Sequence, residues 1–223
     1  MSPHSLESPA MTRRQLATRN AGWAKTLARS LGHIGVRPNT VSIAGVVFAV
    51  AASVAFYFSP EPMRSRRAAL LLLAAACVQL RLLCNLLDGM LAVEGGLKSK
   101  TGDIYNDLPD RVADVFILVG AGYSVRSLAF GVALGWAAAT LALFTAYVRV
   151  LGGALGVTQH FIGPMAKQHR MFTLTVFTLV AATEALLGMP PRAMRIGLGV
   201  IAAGSLVTAS RRTRRIAAEV EAR

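Results

Sequence analysis

Six of the chain's eleven acidic residues fall between positions 88 and 114: Asp88, Glu94, Asp103, Asp107, Asp110 and Asp114. Asn85 and Asp88 are three apart and Asp110 and Asp114 four apart, separations that put each pair on one face of a helix. Two such faces set against one another offer only carboxylate and amide oxygens. That donor set suits a hard divalent cation, Mg²⁺, Mn²⁺ or Ca²⁺, and a bound Mg²⁺ commonly also holds substrate phosphates. Neither His nor Cys is expected on this polar face, which argues against zinc. The plainer role for these acids is ion pairing with Arg81, Lys98, Lys100 and Arg111, and Asp103 and Asp107 read as solvated loop residues.

The elements that must position these residues favour the cation reading for Asp88, Asp110 and Asp114. The chain is 54% hydrophobic and only 16% charged, with a mean hydropathy of +0.50, and its apolar residues come in long blocks. A spanning helix needs about 20 mostly apolar residues. Six candidate spans follow, roughly Val41–Phe58, Ala68–Ala92, Val112–Val125, Leu128–Val148, Met171–Leu187 and Ile196–Ala209. The expected fold class is an all-α, polytopic bundle of six transmembrane helices. Gln79, Arg81, Asn85 and Asp88 keep the last third of the second span away from lipid. Carboxylates at a membrane edge are costly unless paired or bound to a cation, and are functional candidates on that ground. Pro109 suits a helix start, Asp107 can cap it, and the short link from Glu94 to Leu108 makes the second and third spans antiparallel neighbours.

A net charge of +13 could point to nucleic acid, but its distribution points to membrane orientation. With six spans and a cytoplasmic N-terminus, 17 of the 24 Lys/Arg face the cytoplasm and six face outside. Both termini and the acidic cluster are then cytoplasmic, and the basic excess meets anionic lipid rather than nucleic acid. The first 38 residues contain no apolar signal-peptide core. Thr12 to Ile34 reads as an interfacial amphipathic helix, with Trp23, Leu27 and Leu31 on one face and Arg19, Lys25 and Arg29 polar. Three regions result: a tail with a juxtamembrane helix (1–38), a six-helix catalytic domain (39–210) and a basic cytoplasmic tail (211–223). Cys77 and Cys84, about 10 Å apart along one helix, are too distant for a disulfide and read as small core residues. The spacings Gly131/Gly135 and Gly152/Gly156 predict close helix packing. Glu184 stands alone in the fifth span, near the outer interface.

The run Asn85-Leu-Leu-Asp88-Gly89-Met-Leu-Ala92-Val93, then Gly102, then Asp110-Arg-Val-Ala-Asp114, resembles the signature of the CDP-alcohol phosphotransferases, D-x2-D-G-x2-A-R-x8-9-G-x3-D-x3-D. Arg37-Pro38-Asn39-Thr40-Val41-Ser42, leading into the first span, looks like a second feature of that family. This copy departs from the pattern in three ways. The first acid is Asn85, the signature Arg is Val93, and the last acids have two frames: Asn106 and Asp110 counted from Gly102, or Asp110 and Asp114 matched on the local string. The second frame keeps both carboxylates and is preferred.

The resemblance implies a reaction in which an acceptor hydroxyl attacks the phosphorus distal to cytidine in a CDP-alcohol such as CDP-diacylglycerol, and CMP leaves, in phospholipid biosynthesis. It implies Mg²⁺ or Mn²⁺, two ions, held by Asn85, Asp88, Asp110 and Asp114, with Asp114 as candidate general base and Asp110 beside it. Donor contacts are expected from Pro38, Asn39, Ser42, Gly89, Ala92, Lys98, Lys100, Gly102 and Asn106. Arg149, Lys167 and Arg170 can grip a phosphorylated acceptor, or can equally be orientation anchors, and His160 and His169 lean to that second role. The implied setting is a bacterial inner membrane and the implied assembly a homodimer. Two other readings compete: an intramembrane prenyltransferase releasing pyrophosphate, and a small cation transporter, whose expected inverted pair of broken spans is not evident. Asn85 and Val93 also leave room for an inactive family member.

Overall fold

Arg37 has an extended backbone and Pro38 follows it as the first helical residue, a position where the missing N–H costs nothing. From there the computed structural model is helical throughout; it describes residues 22–94, 102–157 and 162–223, and among these there is no strand. The helices are α1 (Gly22–His33), α2 (Pro38–Phe58), α3 (Arg64–Glu94), α4 (Gly102–Tyr123), α5 (Gly131–Ala154), α6 (Lys167–Leu187) and α7 (Arg192–Glu221).

Helices α2, α3, α5, α6 and α7 are each long and apolar enough to cross a membrane. The remaining expected span is α4, which carries Asp107, Asp110, Arg111 and Asp114 and does not meet the same apolar criterion. The chain is therefore an integral, multi-pass membrane protein with five helices of spanning composition and a more polar sixth packed among them.

Helix α2 packs on α3 and α4, α4 on α5, α5 on α7, α7 on α6, and α6 back on α3, so the six long helices close a ring of neighbours. Its interior is built from small side chains, with Ala49, Ala52, Ala74, Ala113, Ala121, Ala138, Ala142 and Ala181 among the buried residues. Large apolar side chains such as Val47, Val54, Leu73, Phe144 and Phe172 stand outside. In lipid, burying a large apolar side chain gains little, so small residues face neighbouring helices and let backbones approach. The expected close packing at Gly131 and Gly135 is observed. A Cβ on Gly135 would lie 2.7 Å from the Cα of Gly122, so α4 and α5 meet backbone to backbone. Gly152 packs against Ile216 of α7, whereas Gly156 has a left-handed backbone (φ +71°) in the turn after α5.

Three local expectations are corrected. Pro109 lies inside α4, which starts at Gly102; Asp107 is thus no cap, and its carboxylate instead pairs with Arg111 at 2.6 Å and Arg149 at 2.9 Å. The last helix continues past Ala209 to Glu221. In α1, Ala24 and Ala28 pack on the bundle beside Leu87 and Leu91, while Trp23 is exposed. Leu31, expected on one face with Trp23 and Leu27, instead packs against that cluster. Glu184 accepts hydrogen bonds from the Ala193 N–H at 3.0 and 3.1 Å and caps α7.

Candidate active site

From Ala68, where the apolar run of α3 begins, 1.5 Å per residue carries the helix roughly 30 Å to Asp88, about the thickness of the hydrocarbon core. Asp88 therefore lies about one hydrocarbon thickness along α3 from Ala68. It is buried, and Ser42 of α2 donates a hydrogen bond to its Oδ2 at 2.6 Å. Its Oδ1 is buried with no hydrogen-bond partner. A carboxylate oxygen left bare in this way is costly, and it implies a ligand that completes it.

Asp88 borders a small cleft lined by Ser42, Gly45 and Val46 of α2, Arg81, Cys84, Asn85 and Asp88 of α3, and Pro109, Asp110 and Ala113 of α4. The structure thus unites Asn85, Asp88 and Asp110, residues that the sequence pairs only in part. Cys84 also reaches the cleft, contrary to the expectation that no Cys borders the polar face; it and Cys77 are free thiols, as expected. The Asn85 amide fits its surroundings when its nitrogen donates to both oxygens of Asp110, at 3.2 and 3.3 Å, and its oxygen accepts from Lys167. Lys167, at the start of α6, also pairs with Asp110 Oδ2, and Arg81 contacts Asp110 Oδ1 at 3.3 Å.

Asp114 is in different surroundings. It is not among the residues lining the cleft. One oxygen accepts from Arg81 at 2.8 Å and the other from Arg170 at 3.0 Å, and all three side chains are at most 2% exposed. Asp114 was expected to share the cation's cavity and take a proton; instead it is enclosed between two guanidiniums. Arg170 also donates to the Met165 carbonyl at 3.0 Å and to Thr145 at 3.2 Å, so the basic residues expected at the acceptor side are anchored on acids and backbone.

The donor-side residues separate in the same way. Ser42 is in the cleft. Pro38 and Asn39 form the first turn of α2, Gly89 and Ala92 follow Asp88 on α3, and Gly102 opens α4. Lys98, Lys100 and His160 lie outside the described residues, as does the side chain of Asn106. The ion pairing expected of Arg81 is observed, with the addition that it bridges Asp110 and Asp114 and that Arg170 is the second partner of Asp114. An arginine inside an apolar run must find partners.

Among the described residues, no three His, Cys, Asp or Glu side chains form a ready-made metal cage. The cleft offers two carboxylates, one of them with the bare Asp88 oxygen, and an amide oxygen, and the Lys167 ammonium is drawn to Asp110 and Asn85. Those oxygens fit a hard divalent ion, with open positions for water or phosphate.

No family model and no curated protein matches the sequence, and the likeness to known proteins lies in the fold. Crystal structures of Mycobacterium tuberculosis phosphatidylinositol phosphate synthase do match. The form with CDP-DAG bound superposes with a TM-score of 0.73 at 20% identity, covering 88% of this chain and 94% of that one. The complex with manganese and citrate gives 0.70 at 20% identity, over 86% and 88%. The apo form gives 0.69 at 21% identity, over 85% and 93%. This chain thus shares its overall fold with that solved protein.

Proposed function

We propose that this chain is an integral membrane transferase that moves a phospho-alcohol group, most simply phosphatidyl, from a CDP-alcohol to a hydroxyl acceptor and releases CMP, as in phospholipid biosynthesis. One observation carries the reading: Asp88 and Asp110 share a cleft, in a fold whose solved examples include one with CDP-DAG bound. A solved example with manganese supports the choice of cation. Asn85, Asp88 and Asp110 would hold Mg²⁺ or Mn²⁺. Such an ion neutralises the pyrophosphate and the charge that develops on CMP.

The chain's own residues do the rest. Ser42 fixes the Asp88 carboxylate through the 2.6 Å hydrogen bond. Arg81 joins Asp110 to Asp114 across α3 and α4. Asp110 takes the proton from the acceptor hydroxyl, because it is the carboxylate that both lines the cleft and remains partly exposed, at 17%. Asp114, paired on both oxygens, keeps Arg81 and Arg170 in place rather than acting as base. Lys167 is a cation at the cleft that can meet a phosphate of donor or acceptor. The cleft and both termini face the cytoplasm in this reading, on the Lys/Arg bias, and the protein acts as a homodimer.

The test is nucleotide release by purified protein given CDP-diacylglycerol and Mg²⁺ or Mn²⁺, screened across glycerol phosphate, inositol phosphate, serine and lipid alcohols. CMP that requires both acceptor and metal is the expected product. Pyrophosphate release from a prenyl donor, or metal flux in proteoliposomes without nucleotide turnover, would replace this reading with one of its competitors.

A further inference from the structure

A cation of the chain that does not itself line the cleft reaches two of the side chains that do. Lys167 contacts Asp110 Oδ2 and, with the Asn85 amide in its satisfied orientation, the Asn85 oxygen. These are two of the three oxygen-bearing side chains that a divalent ion would use. The local charge makes the overlap consequential. The cleft carboxylates are Asp88 and Asp110, and the cationic groups reaching them are Arg81 and Lys167. That set is formally neutral before any metal arrives. Arg81 cannot be the group that yields, since it is 1% exposed and tied to Asp114, whereas the Lys167 side chain is 21% exposed and sits on a flexible stem at the first residue of α6.

We propose that Lys167 is the resident counter-cation of the cleft and competes with the divalent ion for the Asn85 and Asp110 oxygens, so that metal binding requires its ammonium to swing out. This rests on the reading of the cleft as a metal site. A divalent ion entering beside a fixed ammonium would meet like charge a few ångströms away and would lack part of its ligand set. The apparent affinity for metal is therefore the intrinsic one reduced by the fraction of molecules in which Lys167 has left. The bare Oδ1 of Asp88 fits this picture, because the ammonium reaches Asp110 and Asn85 but leaves Asp88 uncompleted.

The experiment is a Mn²⁺ titration of the purified full chain in nanodiscs, without nucleotide, read as loss of the free Mn²⁺ electron paramagnetic resonance signal. Lys167→Met removes the charge and keeps the length. It is expected to bind Mn²⁺ roughly 10- to 100-fold more tightly than wild type, the range set by removing a charge-assisted contact. Lys167→Arg should stay within a few-fold of wild type, and adding Asp88→Asn to Lys167→Met should erase the gain, which assigns the ion to the cleft. If Lys167→Met fails to give a monodisperse protein with a cooperative thermal transition, Lys167→Gln serves the same comparison. Equal or weaker Mn²⁺ binding by the neutral variant, or binding by neither protein up to millimolar Mn²⁺, would overturn the proposal. Absent CMP release together with tightened Mn²⁺ binding would instead sink the transferase reading and leave the competition standing.

Discussion

The cleft and the ion-pair cluster beside it use the same kinds of residue to opposite ends. In the cleft, Asp88 is buried yet has an oxygen without a partner, and Asp110 is partly exposed. One turn along α4, Asp114 is buried with both oxygens taken by Arg81 and Arg170. An incomplete buried carboxylate spends folding stability to hold a place for a ligand, whereas a fully paired one spends nothing further once it is assembled. The comparison separates acids open to a ligand from acids that hold neighbouring side chains in place, a distinction that counting acids cannot make.

The comparison can be broken by substitution. A large effect is expected at Asp88→Asn, which should cut CMP release by about 10²-fold or more, at least the loss seen on removing a group that merely supports a metal ligand, and leave the thermal transition near that of wild type. Asp114→Ala should act in the reverse sense. It strands two buried guanidiniums and should cost roughly 3–5 kcal/mol of stability, seen as a lowered unfolding midpoint in detergent.

Those two expectations mark how far the sequence could be read. The clustering of Asn85, Asp88 and Asp110, the approximate positions of the six long helices and the close approach at Gly135 all follow from local spacing and composition. The division between Asp110 and Asp114 does not. It is decided by Arg81 on α3 and by Lys167 and Arg170 on α6, and helical spacing says which residues share a face but not which helix comes to meet that face. Pro109 misled for a related reason. Proline is a strong local signal for a helix start, but packing of α4 against α2 and α5 carries the helix through it. Of the basic residues after Ala209, whose charge reads as a lipid anchor, Arg211, Arg214 and Arg215 are exposed and Arg212 is buried, and their charge is local information. The contacts of Arg212 with the carbonyls of Ile162 at 3.0 Å and Thr145 at 2.9 Å, which tie α7 to the α5–α6 region, are not.

Smaller effects sharpen the same contrast. Gly135→Ala should cost about 1–3 kcal/mol by overpacking the α4–α5 crossing, again read as an unfolding midpoint, and any loss of CMP release should follow that midpoint. Ser42→Ala removes the donor that orients Asp88 and should cost about 1 kcal/mol of stability or less. Its clearer sign should be weaker Mn²⁺ binding with the fold intact.

The most direct measurement pairs CMP release with thermal unfolding for Asp110→Asn and Asp114→Asn, purified side by side. The account predicts that Asp110→Asn unfolds like wild type and releases no CMP, while Asp114→Asn unfolds at a markedly lower temperature. An Asp110→Asn protein that turns over CDP-alcohol at the wild-type rate, or an Asp114→Asn protein that is as stable as wild type yet inactive, would contradict it.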